Sequence, residues 1–133
     1  MANIFVSHRG SDAAEAERLA SDLAKGGHRV WLDVWDIHVG DSVVARIDEG
    51  LAGANYFVLC LSEDGVYNPW MSREWYAALA RQLSGHSIML LPIRLTGGAP
   101  PAILSDIRYA DATVNYDAAV NEILTAIRLG STV

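Results

Sequence analysis

The chain has 133 residues, of which 51% are apolar and 20% are charged, a balance typical of one globular domain rather than a disordered segment. Its 10 basic against 16 acidic residues give a net charge of −6, which disfavours binding to nucleic-acid backbones. No apolar run approaches the roughly 18 residues of a membrane span, and the N-terminus lacks a basic signal-peptide region. Cys60 is the single cysteine, so an intrachain disulfide is excluded, and this cysteine content is consistent with a reducing compartment. We therefore expect a single cytoplasmic domain over residues 1–133 that binds neither nucleic acid nor membrane.

Short apolar runs alternate with segments of helical periodicity, a pattern that predicts βαβ units around a parallel sheet. Pro92 cannot donate to a ladder, so it is expected to end the fourth strand or to place it near an edge. Cys60 lies within the third apolar run and is interpreted as a buried core thiol. The five predicted strands are 3–7, 29–32, 55–61, 87–91 and a weak one at 109–114.

The predicted helices begin at residues that favour helix starts. Asp12 is expected to cap the first helix, Glu15 to complete a capping box, and Gly26-Gly27 to end the helix. The other helices are expected from Asp41 or Ser42 to Gly53, from Pro69 to Leu83, as a short turn over 103–107, and from Asp117 through Ile127. Together these elements predict a flavodoxin-like α/β fold, in which a doubly wound five-stranded parallel sheet carries helices on both faces.

In such a sheet, ligands bind beyond the carboxyl ends of the strands, at the switch in strand order. For the order 2-1-3-4-5 the switch lies between strands one and three. The segments that leave these strands are 8–11 and 62–68, and the loop 33–40 after strand two borders the same edge. Polar and aromatic residues there are the candidates for a site, although this geometric rule does not specify any chemistry.

Three stretches of sequence in these segments resemble the conserved boxes of TIR domains. Residues 5–12 (FVSHRGSD) resemble the first box, and Val30-Trp31-Leu32-Asp33 followed by 40–42 (GDS) resembles the second. The run Ser62…Tyr67…Trp70…Glu74 resembles the third segment, which holds the catalytic glutamate of enzymatic TIR domains. Three boxes in the right order are a strong match, which covers residues 3–129, and the chain is identified as a TIR domain of the bacterial NAD⁺-cleaving type.

Two departures from the family pattern concern loop geometry. The second loop, 34–39 (VWDIHV), has no lysine or arginine, so the family pattern does not specify its substrate contacts. The second serine that often precedes the tryptophan of the third segment is absent from 66–69 (VYNP). Neither departure affects Glu74.

The resemblance implies an NAD⁺ glycohydrolase that consumes NAD⁺ as its substrate, needs no cofactor and uses Glu74 as the catalytic carboxylate. Nicotinamide in NAD⁺ is already cationic and leaves without a proton donor, so one carboxylate that stabilises the developing oxocarbenium charge can suffice. The first strand is not followed by G-x-G-x-x-G, so a Rossmann cofactor site is not expected. The implied substrate-binding residues are His8, Arg9, Gly10, Asp33, Trp35, Ser62, Tyr67 and Trp70.

Several of these residues also have ordinary structural interpretations. Glu74 could be an exposed helix carboxylate paired with an arginine, and Trp70 could be a core anchor. His8 could simply hydrogen-bond at the sheet edge, and no metal site is expected because no second ligand stands at metal spacing from it. Asp12 is interpreted mainly as a helix cap, whereas Asp33 could equally cap its strand or touch ligand.

The resemblance leaves several functions open. The product could be linear or cyclic ADP-ribose, and activity is expected to require self-association with other TIR domains. Bacterial anti-phage immune signalling is the expected context, and the chain could be the N-terminal module of a longer protein. The main alternative is a non-catalytic scaffold that acts through TIR–TIR association. A deoxyribosyltransferase-like enzyme also shares the fold class and a Glu nucleophile. A receiver domain fits poorly, because His8-Arg9 rather than an acidic pair follows the first strand.

Overall fold

One five-stranded sheet organises the computed structural model of the chain. Its strands are β1 (Asn3–His8), β2 (Arg29–Val34), β3 (Tyr56–Leu61), β4 (Met89–Arg94) and β5 (Ala110–Asp111). The helical elements are a 3₁₀ turn (Gly10–Asp12), α1 (Ala13–Lys25) and α2 (Tyr116–Gly130). All pairings are parallel and the order is β2-β1-β3-β4-β5, as the sequence pattern predicts. This topology confirms the flavodoxin-like α/β fold.

The structure describes residues 2–8, 10–34, 53–62, 85, 88–97 and 108–130, with the backbone alone for 33 and 34. The predicted helices over 41–53 and 69–83, and the predicted turn over 103–107, lie outside the described residues. Within the described segments, no helix has the length and apolar character needed to cross a bilayer.

The main core lies on the face of the sheet that α1 and α2 cover. Successive residues of a strand point to opposite faces of the sheet, so every second residue of β1, β3 and β4 lies on the face covered by the two helices. The helices contribute stripes at helical spacing, as predicted for both. The fully buried members of this core are Ile4, Val6, Ala16, Leu19, Leu23, Val58, Ile93 and Ile127.

The second face of the sheet is also apolar and buried along its central strands. Phe5 of β1 and Phe57 of β3 are register partners, and their rings stack with centroids 5.5 Å apart. Leu59 and Leu61 continue this buried row toward the carboxyl end of β3. A strand that is buried on both faces is therefore apolar throughout, as the run 56–61 predicts.

The strand β4 runs through Pro92, so the expectation that it ends there is wrong, whereas the alternative that it lies near an edge is confirmed, because β4 is next to the edge strand β5. The amides of Met89 and Leu95 point toward β3, since they donate to the carbonyls of Asn55 and Leu61. By alternation, the nitrogen of Pro92 faces the β5 side of β4. There β5 pairs only with Ile93 and Arg94, so the missing N–H removes no ladder hydrogen bond.

Two strand ends also differ from the prediction. β2 continues to Val34, two residues past the predicted end at Leu32, because β1 continues to His8 and pairs with it in register. β5 is only two residues long, whereas the sequence predicts a strand over 109–114. Asp111 ends it by accepting hydrogen bonds from the backbone amide and the hydroxyl of Thr113, which turn the chain. The Thr113 hydroxyl bond also holds the pKa of Asp111 below its ordinary value.

The helix caps differ from those that the sequence predicts. Asp12 occupies the N-cap position of α1 but makes no side-chain capping hydrogen bond, and the expected capping box with Glu15 is therefore wrong. At α2 the cap is Asn115, whose Oδ1 accepts from the amide of Ala118 at 3.0 Å, and not Asp117. The end of α1 at Gly26-Gly27 is as predicted, and the left-handed φ of +93° at Gly27 explains the glycine there.

A polar cluster joins α1 to the first turn of α2. The hydroxyl of Tyr116 donates to Asp22 Oδ2 at 2.6 Å, and the guanidinium carbon of Arg18 lies 3.7 Å from the centre of the Tyr116 ring. Burial and the contact with Asp22 raise the pKa of Tyr116. Tyr116 and Asp22 are 94 positions apart in sequence, so the cluster connects the last helix to the first.

The amino end of the sheet is closed by Tyr56, the first residue of β3. Its buried hydroxyl donates to the carbonyl of Ile127 at 3.1 Å, and so links β3 to the last turns of α2. Gly130 lies against the same ring, where a Cβ would clash with the Tyr56 hydroxyl. The ring is thus held by both packing and a hydrogen bond.

We expect Tyr56→Phe to lower the free energy of unfolding by about 1 kcal/mol, because it removes one buried hydrogen bond and keeps the packing. Tyr109→Phe is the matched control, since the half-buried Tyr109 makes no side-chain hydrogen bond in the described structure. Urea unfolding of the two variants measures the difference. Equal stabilities would contradict the assigned role of the Tyr56 hydroxyl.

A second expectation concerns pH. His28 Nδ1 accepts a hydrogen bond from the amide of Ala2 at 3.1 Å, and burial together with the positive chain N-terminus lowers the pKa of His28. The folded protein thus favours the neutral form of His28. The stabilisation that His28 provides is complete above about pH 6.5 and decreases as the pH falls below that value.

His28→Asn keeps an acceptor but does not titrate. Thermal unfolding between pH 8 and pH 5.5 should therefore show a smaller loss of stability on acidification in this variant than in the wild type. Taking the difference between the two proteins cancels the contributions of the other titrating groups. Identical pH profiles would rule out the proposed role of His28.

Candidate functional site

The buried polar side chains of the described residues lie together at the carboxyl edge of the sheet. They are Ser7 and His8 at the end of β1, Asp12 in the turn after it, and Ser62 directly after β3, each between 1% and 5% exposed. The edge between β1 and β3 is also where the strand order reverses, the usual ligand position in this fold. Burying polar groups costs free energy unless they are hydrogen-bonded, so several of them at the usual ligand position make this edge the candidate site.

The turn after β1 leads into the site and is anchored at one residue. Gly10 and Ser11 are exposed, whereas Asp12 is buried. Thr96, from the segment after β4, donates its hydroxyl to Asp12 Oδ2 at 2.9 Å. Since β1 and β4 are the two neighbours of β3, this contact spans the carboxyl end of β3. It links segments 84 positions apart in sequence.

The backbone beneath this contact is also tied together. The amides of Leu95 and Thr96 both point at the carbonyl of Leu61, at 3.1 and 3.5 Å. Thr96 is therefore held beside the last residue of β3 before its side chain reaches Asp12. This arrangement places Ser62, the next residue of the chain, at the same edge.

The charge of Asp12 has two consequences at this edge. It adds to burial, the larger cause, in raising the pKa of the Cys60 thiol, which is fully enclosed. The thiol is therefore protonated near neutral pH and unsuited to nucleophilic chemistry, as the sequence predicts. The carboxylate also occupies the N-terminus of α1, so it opposes a phosphate group at that helix end.

Four of the nine predicted site residues lie in the described part of the structure, and all four are at the predicted edge. His8 ends β1, Gly10 begins the following turn, and Ser62 follows β3. Asp33 lies within β2 rather than in a loop, paired with Ser7 of β1. The other five lie outside the described residues: Arg9, Trp35, Tyr67, Trp70 and Glu74.

Two residues of the site were not predicted from sequence as part of it. Asp12 is interpreted there as a helix cap, and Thr96 is not singled out. The signal for Thr96 is its position two residues after a strand of the same sheet. If the strand is predicted to end at Pro92, Thr96 lies four residues beyond the strand end and is not recognised as part of the site. Among the described residues, no cluster of three or more potential metal ligands accompanies these side chains.

Comparison with known proteins identifies the family. Residues 4–124 match the family model described as TIR domain, so the chain belongs to the TIR domain family. This result confirms the family that the three sequence boxes indicate.

Two curated relatives and one solved structure define the similarity further. The chain is 35% identical over 89 residues to the 2′ cyclic ADP-D-ribose synthase BtTIR of Bacteroides thetaiotaomicron, covering 66% of this chain and 31% of that protein. It is 28% identical to the NAD(+) hydrolase PdTIR of Paracoccus denitrificans, covering 95% of this chain and 44% of that protein. The chain thus spans less than half the length of these relatives. The fold matches that in the crystal structure of the RPS4 and RRS1 TIR domain heterodimer, with a TM-score of 0.67, 14% identity and 94% coverage of both chains.

We expect Cys60 to react with a thiol reagent such as DTNB only when the chain unfolds, because the thiol is buried and its pKa is raised. Cys60 is the single cysteine of the sequence, so the signal needs no assignment. Labelling followed against urea concentration should track global unfolding, with the fully unfolded chain as the reference for complete reaction. Rapid labelling of the native chain would contradict the burial of Cys60.

Proposed function

We propose that this TIR domain cleaves NAD⁺ at the nicotinamide–ribose bond, with Glu74 as its catalytic carboxylate. The observation that carries the proposal is the similarity of the chain to two relatives whose names give the activities of a 2′ cyclic ADP-D-ribose synthase and an NAD(+) hydrolase. Both products follow from one reaction. Departure of neutral nicotinamide leaves an oxocarbenium-like ADP-ribosyl group, which either water or a hydroxyl of the same molecule can capture. The proposal therefore covers linear and cyclic products.

The residues at the described edge are suited to holding a nucleotide substrate. His8, Ser62 and the backbone around Gly10 lie beside the switch in strand order, where parallel sheets bind ligands. Hydroxyl and imidazole groups there can hydrogen-bond to ribose hydroxyls. Because Asp12 opposes a phosphate at the N-terminus of α1, we assign the diphosphate to Arg9 rather than to this helix end.

Glu74 and the aromatic residues complete the proposed site. Its carboxylate would hold the ribose hydroxyls and stabilise the positive charge that develops as the glycosidic bond stretches. Trp70, four residues earlier, would share a helix face with it and form the wall of the pocket. Trp35 would close the pocket from the second loop, and Tyr67 would supply a further hydroxyl. NAD⁺ is then the substrate, and no cofactor is required.

We further propose that the domain works in the cytoplasm through association with other TIR domains, in bacterial anti-phage immune signalling. The solved TIR domain heterodimer that shares this fold supports the association step. The chain is taken as one module over residues 1–133 of a longer protein, consistent with the greater length of its relatives. The alternative, a scaffold that associates without catalysis, differs in having no turnover at any concentration.

The decisive experiment incubates the concentrated chain with NAD⁺ and follows nicotinamide release. We expect Glu74→Gln to lower turnover at least about 100-fold, because it removes the charge that stabilises the transition state while keeping the shape of the side chain. Glu17→Gln is the matched control, since Glu17 is an exposed carboxylate of α1. Circular dichroism should show that all three proteins keep their fold.

Turnover should also rise more steeply than in proportion to protein concentration if association completes the site. Undiminished turnover of Glu74→Gln would refute the catalytic assignment. If the wild type releases no nicotinamide even when assembled, the scaffold alternative replaces the enzyme.

A further inference from the structure

We propose that Asp12 and Thr96 form a positioning pair, in which their hydrogen bond holds the turn after β1 in the geometry that the NAD⁺ site requires. This inference rests on the function proposed above, because it assigns a role within the same site. Neither residue is placed in contact with the reacting atoms. They act through His8 and Gly10, the residues on either side of Arg9 in the turn.

The first argument is that Asp12 supplies the buried side chain of the turn. It is a single 3₁₀ turn over Gly10–Asp12, and its first two residues are exposed. Gly10 has no side chain and the widest choice of backbone conformations, so its position depends on its neighbours. The buried side chain of Asp12 is the described point at which this turn enters the protein interior.

The second argument is that Asp12 does not have the ordinary role of its position. An aspartate at the N-cap normally accepts hydrogen bonds from the first amides of its helix, but Asp12 makes no such bond. Its Oδ2 instead accepts the Thr96 hydroxyl across the end of β3. The buried carboxylate bonds to a distant residue instead of the nearby helix amides. It therefore fixes the position of the turn relative to β4 rather than the start of the helix.

The third argument concerns what the partner is attached to. Thr96 is the second residue after β4, and its own amide and that of Leu95 point at the Leu61 carbonyl of β3. The hydroxyl is therefore presented from backbone that the sheet already holds. The pair thus links the short turn after β1 to the backbone of β3 and β4. Hydrogen bonds to a charged acceptor are among the stronger ones in proteins, which suits this purpose.

Thr96→Val tests the pair, because valine keeps the shape of threonine and lacks the hydroxyl. We expect kcat/KM for nicotinamide release to fall about tenfold, mainly through a higher KM, since the turn contacts the substrate before and during the reaction. Thr96→Ser retains the hydroxyl and should restore kcat/KM to within about twofold of the wild type.

Tyr56→Phe is the matched control. It also removes one hydroxyl donor to an interior oxygen, but at the amino end of the sheet, remote from the site. A general loss of stability would affect both variants alike. If Thr96→Val lowers kcat/KM no more than Tyr56→Phe does, the positioning role is refuted.

Amide hydrogen exchange separates this inference from the proposed function, because it does not require turnover. Exchange of the amides at 10–12 should accelerate about tenfold in Thr96→Val and stay unchanged in Thr96→Ser and Tyr56→Phe. If the wild type releases no nicotinamide, the enzymatic proposal fails while this result still decides whether the pair holds the turn. Unchanged exchange in Thr96→Val would overturn the pair itself.

Discussion

Parallel pairing of β1 with β2 on one side and β3 on the other is the constraint on which the rest of the structure depends. It aligns Ser7 with both Asp33 and Leu59, so the three strands reach their carboxyl ends at one edge. Within the sheet the backbone groups bond to one another, and the central strands are apolar on both faces. The buried serine, histidine and aspartate side chains of the described residues lie where β1 and β3 end, whereas the buried Tyr56 hydroxyl bonds to α2 at the opposite end of the sheet.

The burial of Asp12 is the most demanding feature of that edge. A carboxylate taken out of water is costly unless hydrogen bonds replace its hydration, and Thr96 supplies one from the other side of β3. The same charge disfavours ionisation of Cys60, which lies in the core below. The edge thus carries a negative charge at the start of the first helix, which disfavours an anionic group at that helix end.

The fold alone does not select a chemistry. The same sheet, strand order and ligand edge serve many unrelated functions, so the TIR assignment depends on sequence boxes and on similarity to relatives over residues 4–124. In the proposed site, the described edge would contribute the part that holds a substrate, built from β1, β3 and the segments that follow them. The carboxylate proposed for bond cleavage belongs to the third sequence segment, and its role is an inference from the family and from the charge of nicotinamide.

Local patterns in the sequence determined the element order, the strand order and the edge at which the site lies, because apolar periodicity reports which faces of each element are buried. They also placed His8, Gly10 and Ser62 at that edge. Only the tertiary structure decided the rest. Pro92 costs β4 no hydrogen bond because its nitrogen faces the side on which β5 does not pair at that position, and only the strand pairing in the fold shows this. The side chain of Asp12 does not cap its helix, as its position suggests, but accepts a hydrogen bond from the half-buried Thr96, 84 residues away. Contacts between distant segments leave no local pattern, since their energy depends on where the fold brings the chain.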